Sequence, residues 1–469
     1  MEPSVAFRLR NRTSRRINSR KVFEPKPMPS RASWLPLTAF LLAALLLPAA
    51  AAGQKQSASV SKYIGPGSCS ATACHGGVQP RNVTRVLQNE YSTWAVQDSH
   101  AKAYRSLENS VSQRMGRILG LNPASSQRCL TCHALNVSAG MKGREFDLSE
   151  GVSCESCHGP ASAWLGPHTV KSWTHEQSLQ LGMLDLRSLS RRSENCLDCH
   201  LGTAEKEVNH EMIAAGHPDL VFELDSYTAI MPPHWKLPTE ANFGARAWSI
   251  GQATQLRDAM KRLARHVQSP KWPEYAELDC FACHHSLTKP ENSWRQERGY
   301  PQSAYAGAPP YNTAHYAVAR ILAKEVDASA AQELERDLTE IYRLIAKPDT
   351  GSNKNDLQQS VTRAGDVANR FAGAVESASF DRGRTARLMH AITAQAETLA
   401  DEDTRTAEQA AMSLDALFIS YSKEGGEKGE VRNAINALFQ QLQNPSGYSG
   451  PRFKEQLRRV GAALRDAGI

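Results

Sequence analysis

Apolar residues recur every three or four positions throughout the last third of the chain. Leu334, Leu338, Ile341 and Ile345 form one such stripe, a spacing typical of an amphipathic helix that packs on a core. We therefore expect a C-terminal helical bundle over residues 329–469. The pattern after residue 312 predicts seven helices: Thr313–Val326, Ser329–Ala346, Asp356–Glu376, Thr385–Leu399, Thr404–Tyr421, Glu430–Gln443 and Phe453–Ala467.

Residues 53–287 have a different pattern, in which Gly and Pro are frequent. Only three helices are indicated there, over Glu90–Leu107, Asn209–Ala215 and Ala253–Val267. A segment with so few apolar runs packs around cofactors more than around its own side chains. The expected fold is mainly α, with long loops and little sheet before the bundle. Residues 288–328 read as a Pro/Gly-rich strap followed by a helix that could carry a ligand.

The N-terminal 52 residues have the composition of a signal peptide. An uncharged run from Trp34 to Ala52 ends in small residues that would suit cleavage before Gly53. We expect an exported, periplasmic protein with this segment removed. The alternative is an N-terminal membrane anchor, although the apolar centre is shorter than the ~20 residues that a membrane span needs.

The basic excess of the chain lies in this leader. Of 55 Lys and Arg residues, nine fall within residues 1–52, together with two of the 48 acids. The remainder holds 46 basic and 46 acidic residues and is formally neutral. A neutral chain gives no reason to expect nucleic-acid binding.

All ten cysteines occur in five pairs, and a histidine follows each pair directly. A disulfide scaffold would have no need for those histidines. Four of the pairs are C-x-x-C-H motifs, the attachment signal for c-type haem, in which two thiols add to the haem vinyl groups and the histidine reaches the iron. The expected thioether cysteines are Cys129, Cys132, Cys154, Cys157, Cys196, Cys199, Cys280 and Cys283, with proximal histidines His133, His158, His200 and His284.

The first pair is a variant, because four residues separate Cys69 from Cys74 before His75. We interpret it as a fifth attachment site with a bulged spacer, so that His75 is also a proximal ligand. A disulfide or a vestigial site is the alternative here, and zinc or redox dithiols are the alternative for the other pairs. The prediction is five covalently bound haem c groups.

Ten further histidines lie outside the motifs, and each iron could take one of them as its distal ligand. His100 lies on a predicted helix, and His168 lies ten residues beyond the motif that ends at His158. The other candidates are His217, at a helix end, and His285 and His315. For each of these, a surface or propionate-binding role is the alternative. By contrast, His266 and His390 lie on amphipathic patterns and are expected at the surface.

The stretches YIGPGSCSATACH, GVSCESCHGPAS and Ala215–Trp235 resemble multihaem cytochromes related to the tetrahaem cytochrome c of ammonia oxidisers. That group shares its haem packing with hydroxylamine oxidoreductase and pentahaem nitrite reductase. The resemblance implies a helical fold with haems in stacked pairs, and distal ligands at His100 and His168. This sequence departs from nitrite reductase, which has a lysine in place of one motif histidine, and it has fewer motifs than hydroxylamine oxidoreductase.

These features favour an electron-transfer protein over an enzyme. Two histidines on each iron give a low-spin centre with no room for substrate. The expected redox partners are a quinol-oxidising complex on one side and a terminal reductase or outer-surface acceptor on the other. The bundle could also dock on a membrane-associated partner. The alternative function is a multihaem oxidoreductase with one open iron that acts on a small nitrogen or sulfur compound.

Overall fold

The computed structural model describes residues 61–240, 242–284, 309–346, 353–401, 404–425, 428–444 and 447–469. Within them, Ser61–Ile469 behaves as one compact unit. The described ranges contain eighteen α-helices: α1 Glu90–Gln97, α2 Ala103–Ser106, α3 Ser110–Leu119, α4 Gln127–His133, α5 Cys154–His158, α6 His175–Gln180, α7 Leu189–His200, α8 His210–Ala215, α9 Leu224–Ile230, α10 Phe243–Gln268, α11 Ala317–Val326, α12 Ala328–Ile345, α13 Asn353–Ser377, α14 Arg382–Ala394, α15 Ala396–Asp401, α16 Thr404–Gly425, α17 Gly429–Leu442 and α18 Gly450–Asp466.

The mainly-α expectation is confirmed. Extended pairing in the described ranges is limited to two isolated bridges, Tyr63 with Lys142 and Leu278 with Tyr311. The helices predicted after residue 312 are present with shifted ends, except that the one expected over Thr385–Leu399 is divided into α14 and α15. None of the helices in the described ranges is long and apolar enough to cross a membrane.

The helix predicted over Glu90–Leu107 is interrupted. Helix α1 ends at Gln97, and Asp98 takes an extended conformation with ψ 134°. The Asp98 carboxylate accepts hydrogen bonds from the backbone N–H of His100 at 2.9 Å and from its ring Nδ1 at 3.0 Å. A short aspartate side chain that bonds to the following backbone competes with helix continuation. This break fixes the position of the His100 ring.

Helix α10 is the central element of the core. It begins ten residues before its predicted start, and Trp248, Leu256 and Leu263 on it are fully buried. It packs against α7, which carries the fourth cysteine pair, and against α13 and α16 of the bundle. One continuous apolar cluster therefore extends from Leu189 to Leu464.

Apolar packing is sparse in the first part of the described chain. Beside the main cluster there is a small one of Leu107, Leu130 and Ala134. With Trp94, Ala161 and Trp164 these make six buried apolar side chains before Leu189. They are too few to hold such a length of loop, because burial of a large apolar side chain contributes only about 1.5–3 kcal/mol. This agrees with the expectation that the segment folds around bound cofactors.

Candidate haem-binding sites

Four of the cysteine pairs lie on helical turns. The second and third occupy α4 and α5, the fourth forms the end of α7, and the fifth begins a 3₁₀ turn at Cys280. Positions i, i+3 and i+4 of a helix share one face. Helical geometry therefore presents both sulfurs and the histidine of a C-x-x-C-H motif on the same side.

Helix α5 ends where it does because of the glycine in its CHGP sequence. Gly159 has φ +80°, and a Cβ there would lie 2.6 Å from the carbonyl oxygen of Gly182. Only glycine adopts this conformation without strain at so close an approach. The chain can then turn sharply away from His158.

The first pair keeps the backbone geometry of a regular motif despite its longer spacer. The N–H of His75 donates to the carbonyl oxygen of Cys69 at 3.2 Å, as the N–H of His284 donates to that of Cys280 at 2.8 Å. The two additional residues are taken up in a turn closed by the bond from Cys74 N to Ala71 O, 2.8 Å. The histidine therefore holds the same relation to the first cysteine in both motifs.

Four of the five motif histidines face a histidine from elsewhere in the chain. The ring centroids are separated by 6.2 Å for His75 and His168, 6.3 Å for His133 and His217, 6.3 Å for His200 and His100, and 6.1 Å for His284 and His210. Such uniform distances, at interplanar angles from 6° to 89°, are not those of direct ring stacking.

This spacing fits two imidazoles on one iron atom. A metal–imidazole bond is about 2 Å long, and the ring centre lies about 1 Å beyond the nitrogen, so two opposed ligands have centroids about 6 Å apart. Rotation about the ligand axis changes the interplanar angle but not this distance. The observed pairs therefore have the separation that haem iron requires.

The hydrogen bonds of these rings leave Nε2 for the metal. In five of the eight rings Nδ1 lies beside an oxygen acceptor, for example Glu90 at 2.9 Å for His75 and the carbonyl of Pro218 at 2.8 Å for His217. The same holds for His100, His133 and His168. A metal-bound histidine characteristically donates its other ring N–H to an oxygen.

For the third motif, the described residues show no histidine ring at this distance from His158, but His234 is its neighbour. His158 is partly buried, and burial lowers its pKa to about 4, reinforced by the nearby charge of His234. His234 also holds Nδ1 against a carbonyl, that of Pro232 at 3.2 Å. His234 therefore has the hydrogen-bond pattern of the other ligand candidates.

Burial also prepares His200 for a metal. It lowers the pKa of His200 to about 4, and the charge of His100 adds to this effect. A low pKa keeps the imidazole neutral, which is the form that binds iron.

The remaining candidates lie elsewhere. His315 is buried beside α10, where its Nδ1 lies 3.2 Å from Gln255 Nε2 and its Nε2 lies 3.2 Å from an Arg262 nitrogen. Both ring nitrogens are thus occupied, and the structure does not bring His315 to a motif histidine. His285 lies outside the described residues, as do the strap up to residue 308 and residues 1–60.

The expectation that His266 is a surface residue is wrong. Its ring lies between Glu207 at 2.6 Å and Glu277 at 2.7 Å, and only 13% of its side chain is exposed. Its position on α10 resembled a solvated face because the two glutamates come from distant loops. His390 is partly buried and binds the carbonyl oxygen of Ile469 through Nε2 at 2.7 Å.

Arg262 connects the fourth and fifth motifs. Its guanidinium binds Glu277 at 2.8 and 3.0 Å, three residues before Cys280, and donates to the carbonyl of Leu201, directly after His200. Burial alone would raise the pKa of Glu277, but Arg262 and His266 hold it well below its usual range. Because Arg262 lies on α10, this helix sets the position of the Arg262–Glu277 ion pair.

Cysteines of different motifs lie near one another. The neighbouring thiol lowers the pKa of Cys69 and raises that of Cys154, and the same relation holds between Cys199 and Cys132. The buried Glu155 carboxylate, next to Cys154, also holds the chain before Cys69, because it accepts hydrogen bonds from the N–H groups of Ile64 and Gly65 at 2.9 and 2.8 Å. The first motif thus lies against the third, and the second against the fourth.

His210 and His234 were not among the five distal candidates chosen from the sequence. His210 begins α8, whose N-cap Asn209 accepts from the N–H of Met212, and His217 follows the end of the same helix. The signal was two histidines at opposite ends of one short capped helix. Only His217 of these two was a candidate, so the sequence offered no partner for the fifth motif from this helix.

One family model matches part of the chain. The model described as "Cytochrome c554 and c-prime" matches residues 69–159, which include the first three cysteine pairs. The match supports a c-type cytochrome that binds haem covalently and transfers electrons. The comparisons with curated proteins and with solved structures found no match.

Proposed function

We propose that the protein is an exported electron carrier with five haem c groups, each with two histidine ligands. The observation that carries this proposal is the set of four histidine pairs with ring centroids 6.1–6.3 Å apart, each joining a motif histidine to one outside the motifs. Such pairing closes both axial positions of an iron atom, which suits electron transfer and leaves no position for a substrate.

The ligand pairs follow from these distances. His75 with His168, His133 with His217, His200 with His100 and His284 with His210 would each hold one iron. For the iron of the third motif we assign His234 as the partner of His158, because it carries the same Nδ1 bond to an oxygen and acts on the His158 pKa. The iron of each haem supplies a reversible one-electron couple, and burial and second-shell hydrogen bonds tune its potential.

The contacts between motifs support a continuous path for electrons. Cys69 and Cys154 perturb one another's pKa, as do Cys132 and Cys199, which supports neighbouring haems at the first and third motifs and at the second and fourth. Arg262 then connects the residues that flank the fourth and fifth motifs. Electrons would pass along these neighbours between a quinol-oxidising complex and a terminal reductase or outer-surface acceptor.

Two measurements on the protein produced with haem-attachment machinery test this. Intact mass should show five haems and a chain that begins near Gly53. Electron paramagnetic resonance of the oxidised protein should show only low-spin iron. A mass that corresponds to four haems, with Cys69 and Cys74 unmodified, would overturn haem attachment at the first motif. A high-spin signal equivalent to one iron would overturn the proposal that every iron has two histidine ligands.

A further inference from the structure

We infer that the surface around the first motif is the docking site of an acidic electron-transfer protein. This rests on the proposed function, since it concerns where electrons cross between this protein and a partner. The surface consists of residues 76–88, 168–173 and 235–237, and is called the first-motif face below.

Hydrogen bonds join these three segments to each other and to the motif. The Gln88 side chain donates to the carbonyl of Ala73 at 3.0 Å, within the variant spacer. The Arg85 guanidinium donates to the carbonyls of Trp173 at 3.2 Å and Lys171 at 2.5 Å, and the Lys236 ammonium donates to the carbonyl of Thr84. The three loops therefore form one surface rather than separate projections.

Large apolar side chains on this face are open to solvent. Val83 is 94% exposed, Val78 83%, Leu237 67% and Val170 53%. Single exposed apolar residues are ordinary, but a group of them on adjoining loops is characteristic of a protein contact. Exposed apolar side chains beside charged ones are typical of a transient interface.

The charges on the face all have one sign. Arg81, Arg85, Lys171 and Lys236 lie on it, and residues 76–88, 168–173 and 235–237 contain no acid. The acid nearest to the motif, Glu90, is bound to the His75 ring at 2.9 Å. A basic surface attracts an acidic partner and accelerates their encounter.

The position of the face suits transfer across a contact. Exposed motif cysteines occur in the first and fifth motifs, at Cys74, Cys280 and Cys283, whereas those of the other three motifs are partly covered. His75 is 26% exposed on its side chain, and its paired His168 lies on the face itself. Electrons can therefore cross at the first motif over a short distance.

The test uses the full holoprotein and reduced flavodoxin, a small flavoprotein with an acidic surface, as the electron donor. The variant Arg81→Glu/Lys171→Glu reverses two charges on the face. The matched control, Lys428→Glu/Arg452→Glu, makes the same charge change at exposed positions of the bundle. Haem content and the dithionite-reduced spectrum are recorded first for all three proteins.

Stopped-flow reduction by flavodoxin should slow about tenfold for the face variant at low ionic strength, and the difference should vanish near 0.5 M salt, where the Debye length is only about 4 Å. The control should react as the unaltered protein does. Equal rates in all three proteins, or equal slowing in the control, would overturn the docking site alone. An unaltered protein that lacks haem or cannot be reduced by dithionite would overturn the proposed function and the docking site together.

Discussion

Individual histidines in this protein are distinguished by the ring nitrogen that their neighbours occupy. Six of the ligand candidates hold Nδ1 against an oxygen, namely His75, His100, His133, His168, His217 and His234. By contrast, His175, His315 and His390 use Nε2 for contacts with Asp185, Arg262 and the carbonyl of Ile469. Because iron binds Nε2 in this arrangement, hydrogen bonding separates the two groups where sequence position could not.

Removal of a distal ring should open one iron. We expect His210→Ala and His234→Ala each to convert about one iron in five to high spin and to let it bind carbon monoxide when reduced, because the thioether bonds still hold the haem. The control His175→Ala should leave every iron low-spin. Spectra taken with and without carbon monoxide measure this change. If every iron in His234→Ala stays low-spin and binds no carbon monoxide, His234 is not a ligand.

His266 should make stability depend on pH. Although burial alone lowers its pKa, hydrogen bonds to Glu207 and Glu277 outweigh this and raise it to about 9. The stabilisation is present below the unfolded pKa of about 6.5 and is lost as pH rises toward 9, with an upper limit of about 3 kcal/mol. Thermal unfolding of the holoprotein at pH 6 and pH 9.5 should show this loss.

The variant His266→Gln keeps a polar side chain but does not titrate, so its melting temperature should change less between these two pH values. His390→Gln serves as the control and should retain the full dependence. An equal loss in His266→Gln would mean that another group is responsible.

At the scale of elements, regular helices were predictable and their breaks were not. The bundle helices follow from a stripe of apolar residues, which reports burial directly. The end of α1 at Gln97 depends on one carboxylate turning toward His100, and the ten-residue extension of α10 depends on packing against α9 and the bundle. Such tertiary contacts leave no periodic trace in the sequence.

The close packing of α9 on α10 gives a further prediction. A Cβ at Gly251 would lie 2.7 Å from the Cβ of Leu224, whereas one at Gly373 on α13 would meet nothing within 4 Å. We expect Gly251→Ala to destabilise the protein by about 1–3 kcal/mol through overpacking. Gly373→Ala should stabilise it by about 0.5–1 kcal/mol, because alanine restricts the unfolded chain. Urea unfolding measures the free energy of unfolding of both variants. Equal changes in the two variants would contradict the prediction.

At the scale of the whole molecule, the apolar core crosses the expected division between residues 53–287 and 329–469. Helix α10 contributes Trp248, Leu256 and Leu263 to the same cluster as the bundle. The division into a cytochrome segment and a bundle follows from composition and stays a prediction. The sequence indicates where cysteines end and helical stripes begin, but not which helix joins the two parts.

Because of this shared core, we expect the two parts to unfold together. Far-ultraviolet circular dichroism, dominated by the bundle helices, and haem absorbance, which reports on the motif segment, should give coincident thermal transitions. Gly251→Ala should lower the midpoint temperatures of both transitions by the same amount. Two separated transitions, or a shift in only one signal, would show that the parts fold independently.

The contacts between cysteines of different motifs set a condition on biogenesis. Before haem is attached, Cys132 lies near Cys199 and Cys69 near Cys154. In an oxidising compartment a disulfide between either pair of thiols would remove one cysteine from two motifs at once. If the chain folded before haem attachment, these disulfides would block attachment at the motifs concerned. We expect maturation to need a reductant and an extended chain, with the motifs modified before the helices bring them together.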